Sequence, residues 1–136
     1  MKHIKWKTLI ITGVIALLPM LIGIFLWDKL PDEIAVHFNL YNEPDGFASK
    51  GFAVFALPLI ILLIHIIFCI GCDLQIGKKQ YIPITKWIIP ITSIVVNSAT
   101  FAYAMGFAVE MGWVAGIFAG FIIIAVIIDR RKLKKM

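Results

Sequence analysis

GFAVFALPLIILLIHIIFCIGC, residues 51–72, contains no Asp, Glu, Lys or Arg. It is long enough to cross a hydrocarbon core as one helix, which takes roughly 20 residues. Three further apolar blocks, residues 8–27, 87–108 and 111–128, meet the same criterion. The 136-residue chain is 61% hydrophobic, with mean hydropathy +0.96. A globule of this size cannot enclose so much apolar surface, so lipid must solvate it. The expectation is an all-α membrane protein: a single integral domain, residues 1–136, with four transmembrane helices. The first block reads as a retained span rather than a cleaved leader, because it ends in Trp27-Asp28 and not in a small-x-small cleavage pattern.

The basic residues orient these spans. Lys2, Lys5 and Lys7 precede the first, Lys78, Lys79 and Lys86 lie between the second and third, and Arg130, Arg131, Lys132, Lys134 and Lys135 follow the fourth. The loop at residues 28–50 holds only Lys29 and Lys50 against Asp28, Asp32, Glu33, Glu43 and Asp45. By the positive-inside rule both termini are cytoplasmic and the 28–50 loop is an extracytoplasmic cap. The net charge of +5 then reflects topology and anionic lipid headgroups, not nucleic acid, and the basic tail at 129–136 anchors on the membrane surface. Trp6, Trp27, Trp87 and Trp113 fall near span ends, where indole favours the headgroup zone. Pro19 and Pro58 predict kinks, and Pro90 sits in a first turn where it costs little.

The cap is the one long polar segment. Ile34, Val36 and Phe38 alternate with Ala35, His37 and Asn39, a period of two that predicts a short extended stretch. Tyr41-Asn42-Glu43-Pro44-Asp45-Gly46 reads as a turn that folds Asp45 back toward His37 and Asn39, and Ser49 or Asp45 is placed to cap the second helix. His37, Asn39 and Asp45 support three readings: a self-satisfied polar cluster, a recognition surface for an extracellular partner, or a ligand site. One His and one Asp fall short of a zinc set and of an oxygen-rich calcium loop, so neither metal nor cofactor is expected.

The order Leu30-Pro31, His37-Phe38-Asn39, Asp45-Gly46, Ser49-Lys50 resembles the membrane domain of the SdpI-like immunity proteins, which protect bacteria from a secreted membrane-active peptide. Asn42 stands where the family pattern has Gly, a mild change because both residues accept a positive φ. Longer members continue into further helices, and this sequence corresponds to the loop-bearing half. The resemblance implies a bacterial plasma-membrane protein, of Gram-positive type, whose partner is a secreted peptide toxin or another membrane protein. His37, Asn39, Asp45 and Lys50 are the expected contact residues, with Glu110 near enough at the outer face to pair with Lys50 or His37.

Within the spans, His65 reads as a neutral histidine bonded to a neighbouring helix, with Ser93 and Asn97 at similar depth as partners. No further ionisable group lies at mid-membrane to extend a proton relay. Cys69 and Cys72 have C-x-x-C spacing without a second pair or a soluble redox context, and read as packing residues. No nucleophile elbow or metalloprotease motif is present, so the expected function is non-enzymatic. Gly112, Gly116 and Gly120 on helix four, and Ser98, Ala102 and Gly106 on helix three, share the spacing that lets backbones approach. They are expected to join those two helices, with a homo-oligomer surface as the alternative. Two other functions remain open: a signalling component that recruits a cytoplasmic regulator, and a small transporter or lipid-handling protein working around His65 and Asn97.

Overall fold

The computed structural model describes residues 4–76 and 83–135. Lys2, Lys78 and Lys79 of the charge pattern lie outside the described residues. Four helices long and apolar enough to span a membrane run Trp6–Phe25, Phe52–Ile76, Ile84–Ala104 and Met111–Lys135.

The prolines set the internal breaks. The first span divides into α1 (Trp6–Ala16) and α2 (Leu18–Phe25), with Pro19 in the first turn of α2. Met20 donates to the Leu17 carbonyl at 3.0 Å instead of reaching Ala16, so the Ala16 carbonyl loses its usual partner. The second span opens with a π-helical turn, Phe52–Ala56, and continues as α3 (Leu57–Ile76). Pro58 follows directly, and the wider turn absorbs the donor that proline lacks. The third span begins with a 3-10 turn, Ile84–Trp87, and becomes α4 (Ile88–Ala104). The fourth is α5 (Met111–Lys135).

Helix ends depart from the sequence expectation where local chemistry governs. Helix three stops at Ala104 rather than near residue 108, because Gly106 adopts φ +92°. Phe107 N–H then donates to Ala102 O at 3.0 Å and Gly106 N–H to Tyr103 O at 2.9 Å, a Schellman closure. Helix four continues through residues 129–135 instead of releasing a separate basic tail. Arg and Lys are good helix formers, and cations favour a helix C-terminus.

Between the first and second spans lies an antiparallel hairpin, β1 (Glu33–Phe38) and β2 (Pro44–Ser49). The extended stretch of the sequence reading is β1, and the expected turn resolves partly into β2. Ile34 lies opposite Ala48 and Ala35 opposite Phe47, after which the ladder shifts and His37 faces Gly46. A Cβ on Gly46 would lie 2.8 Å from the His37 Cβ, so this crossing requires glycine. The hairpin lays Ile34 on the bundle, where it packs with Leu30, Ala53, Val54 and Phe101. Phe38 meets Tyr103 edge to face, with ring centroids 4.9 Å apart.

The small residues work elsewhere than expected. A Cβ at Gly112, Gly116 or Gly120 would meet nothing within 4 Å, so this stripe does not pack on helix three. Ala102 and Gly106 belong to the Schellman closure, and Ser98 is only half-buried. The close approach is at Gly23, where a Cβ would lie 2.8 Å from both Val54 methyls and 3.2 Å from the Phe101 ring. In lipid, association rests on such van der Waals contact.

Gly23→Ala is therefore expected to destabilise the purified protein by about 1–3 kcal/mol through overpacking. Gly116→Ala should leave its thermal midpoint unchanged or slightly raised. Equal midpoints for wild type and Gly23→Ala in detergent would remove Gly23 from the packing account.

Candidate functional site

Polar side chains gather at the two ends of the bundle. The hairpin end also holds the turn between the third and fourth spans. The opposite end holds the start of the first span, the end of the second, the start of the third and the end of the fourth.

Lys50 fastens the hairpin to the first span. Its Nζ donates to the Leu30 carbonyl at 3.0 Å and the Trp27 carbonyl at 3.2 Å, where the chain leaves the 3-10 turn Trp27–Lys29. It also stands 4.9 Å over the Trp27 ring and 3.6 Å from Asp32. A lysine with these donors closes a helix C-terminus. Ser49 Oγ accepts from Phe52 N–H at 3.3 Å and caps the second span; Asp45 takes no part in that cap.

Asn42 is the clamp at the tip. Its φ of 61° meets the left-handed requirement that Asn and Gly share. Its Nδ2 donates to Val109 O at 3.1 Å, and its Oδ1 accepts from Met111 N–H at 2.7 Å, capping α5. Asn39 serves the turn itself: its Oδ1 accepts from Tyr41 and Glu43 N–H at 2.9 and 3.0 Å, and its Nδ2 donates to Glu43 Oε2 at 3.0 Å.

His37 Nδ1 donates to Asp45 Oδ1 at 2.5 Å, and both side chains remain substantially exposed. The carboxylate only accepts, so the proton sits on Nδ1 and Nε2 is left to solvent. Leu40, Tyr41 and Phe47 stand beside this pair, at 102%, 85% and 59% exposure. Glu110 is exposed and forms no ion pair with Lys50 or His37; those two pair with Asp32 and Asp45. The expected Glu110 pairing is thus corrected, because Lys50 is drawn to the carbonyls of the first span. Among the described residues, no group of three or more His, Cys, Asp or Glu side chains is placed to hold a metal ion.

The intramembrane polar residues also bond differently from expectation. His65 is fully buried and meets Thr12 Oγ1 at 2.7 Å, on the first span rather than the third. Thr12 donates its own proton to Thr8 O at 2.7 Å, so His65 Nε2–H is the donor to Thr12. Cys69 Sγ lies 3.4 Å from the same nitrogen. Ser93 instead donates to the Ala16 carbonyl at 3.1 Å, satisfying the group freed at the Pro19 break. Asn97 Nδ2 donates within its own helix to Ser93 O at 2.8 Å.

The opposite end holds what the sequence reading missed. Asp73 and Lys86 are both fully buried and pair at 2.5 Å. The second Asp73 oxygen accepts the Lys5 backbone N–H at 2.9 Å, tying down the start of the first span. Lys86, counted in the sequence only as a basic residue of the second loop, is an internal ion-pair partner. Asp129 accepts from Ile84 and Thr85 N–H at 3.0 and 2.9 Å, capping the third span from the fourth. A signal was present: Asp73 and Asp129 are the two acids in segments otherwise rich in Lys and Arg.

A family model described as Domain of unknown function (DUF1648) matches residues 14–62. No curated protein sequence and no solved structure matches the chain. The matched residues run from within α1 to within α3, and so contain the hairpin, Lys50, Gly23 and most of the apolar cluster beneath. They end short of α4 and α5 and leave out Asp73, Lys86 and Asp129.

Asp73→Asn should cost about 3–5 kcal/mol, because it leaves Lys86 charged and buried. The double variant Asp73→Leu with Lys86→Met should recover most of that loss. Thermal unfolding of the three proteins in detergent checks this, and a double variant as unstable as Asp73→Asn would contradict it. Asn42→Ala should cost about 1–2 kcal/mol as a lost cap and expose the hairpin to limited proteolysis.

Proposed function

We propose that this protein protects a bacterial plasma membrane against a cationic, membrane-active peptide, intercepting it at the hairpin end of the bundle. One observation carries the reading. The hairpin is held by Lys50, Asn42 and the Phe38–Tyr103 contact, yet presents Leu40, Tyr41 and Phe47 to solvent beside the His37–Asp45 pair. Exposed aromatic anchors on a rigid support are what a recognition surface requires.

Charge supports a cationic ligand. This end holds Asp28, Asp32, Glu33, Glu43, Asp45 and Glu110 against Lys29 and Lys50. An amphipathic basic peptide would be steered there and would lay its apolar side on Tyr41 and Phe47. The Lys and Arg distribution supports an orientation with this end outside the cytoplasm and both termini within it. The match to DUF1648, a domain also found in SdpI-like membrane proteins, accords with the same reading. Asn39 and Lys50 leave the expected contact set, since their polar atoms serve the hairpin and the first span. His37, Asp45 and Glu110 remain in it, joined by Leu40, Tyr41 and Phe47. The mechanism is sequestration, so no bond is made or broken.

Deleting the gene should sensitise the strain to at least one member of a panel of cationic membrane-active peptides. Complementation with Tyr41→Ala or Asp45→Ala, at equal expression, should restore little protection and weaken binding of that peptide about tenfold. Unchanged sensitivity of the deletion strain across the panel would refute the reading. Orientation is checked separately: Tyr41→Cys, with Cys69 and Cys72 replaced by Ala, should react with a membrane-impermeant thiol reagent in wall-stripped cells.

A further inference from the structure

Two hollows lie between the second and fourth spans. One, of about 430 Å³, is walled by Ile61 and Ile64 of α3 and Ile122 of α5, and floored by Thr92, Val96 and Thr100 of α4. The other, of about 580 Å³, is lined by Phe68 and Gln75 of α3, Thr85, and Val126, Asp129 and Arg130 of α5. Ile64 and Phe68 are one helical turn apart, as are Ile122 and Val126. The hollows therefore adjoin along the facing sides of α3 and α5, apolar within the spans and charged at the end opposite the hairpin.

We propose that this groove holds one anionic glycerophospholipid, with its phosphate at Arg130 and one acyl chain along α4. Arg130 supplies the charge. Its guanidinium has no ion-pair partner among the described residues, and it opens the run Arg131, Lys132, Lys134 and Lys135. Asp129, which also lines the mouth, has both oxygens engaged by the Ile84 and Thr85 N–H groups. An arginine at the mouth of a hollow between helices, at a membrane surface, suits a phosphate headgroup.

Depth fits the rest of the lipid. The residues lining the apolar segment on α4 run from Ile88 to Thr100, about 18 Å of helix, close to the roughly 15 Å thickness of one leaflet.

The test is native mass spectrometry of the full chain in mild detergent, titrated with palmitoyl-oleoyl phosphatidylglycerol and, separately, with the corresponding phosphatidylcholine. Wild type should retain one phosphatidylglycerol in preference to phosphatidylcholine. Arg130→Gln should weaken phosphatidylglycerol about fivefold and leave phosphatidylcholine unchanged. Ile64→Trp, which fills the apolar segment, should abolish retention of both. Val95→Trp, exposed on α4 and outside the groove, should behave as wild type, and thermal midpoints confirm that each variant is folded. Glycerol 3-phosphate in excess should not compete. Equal retention by wild type, Arg130→Gln and Ile64→Trp would mean annular lipid only and overturn the proposal. Competition by glycerol 3-phosphate would overturn it in favour of a soluble phosphate ligand.

Discussion

A backbone group that loses its helical partner inside a bilayer has no water to turn to. The architecture follows from how this chain meets that constraint. Most of the described breaks and ends are closed by a polar side chain or a glycine, and the side chain often comes from a different span. Lys50 closes the carbonyls where the first span ends, and Ser93 takes the Ala16 carbonyl freed at its kink. Asp73 takes the Lys5 N–H, Asp129 caps the third span, and Asn42 caps the fourth. Stitching of this kind fixes which helices are neighbours, a choice that apolar contact with lipid-like side chains specifies weakly.

The same constraint separates structural polar groups from free ones. Once caps and crossings are assigned, the hairpin end keeps an exposed His37–Asp45 pair, a carboxylate at Glu110, and the apolar tip of Leu40 and Tyr41. The other end keeps Arg130 at the mouth of a groove. No cap or crossing of the spans accounts for these groups. His65 is not among them. Its bond to Thr12 and its contact with Cys69 make it part of the packing between the first and second spans.

The DUF1648 match takes on structural meaning in this light. Residues 14–62 contain the hairpin and the helix halves beneath it: the kinked end of the first span, the π-helical opening of the second, and the tight crossing of Gly23 on Val54. Within it, Gly46 answers a steric need of this chain, the 2.8 Å approach to His37 beside which the adjoining Asp45 carboxylate meets the imidazole. The third span contributes Phe101 and Tyr103 from outside the matched residues. The matched segment is thus one part of a packed unit.

The four spans, the polar cap, irregular helix at Pro19 and Pro58 and the turn that returns Asp45 to His37 were all legible in the sequence. Each depends on interactions local to the chain: hydropathy over one helix length, the missing donor of proline, the φ preferences of Asn and Gly. Partner identity was not legible. His65 was expected against the third span and meets Thr12 of the first, the glycine stripe of α5 was expected in a helix pair and faces open space, and Lys86, read only as a basic residue of the cytoplasmic loop, lies buried against Asp73. A residue's periodicity says which face of its own helix it occupies. Which helix lies against that face depends on how all four spans share their unsatisfied backbone groups, and only the tertiary structure decides that.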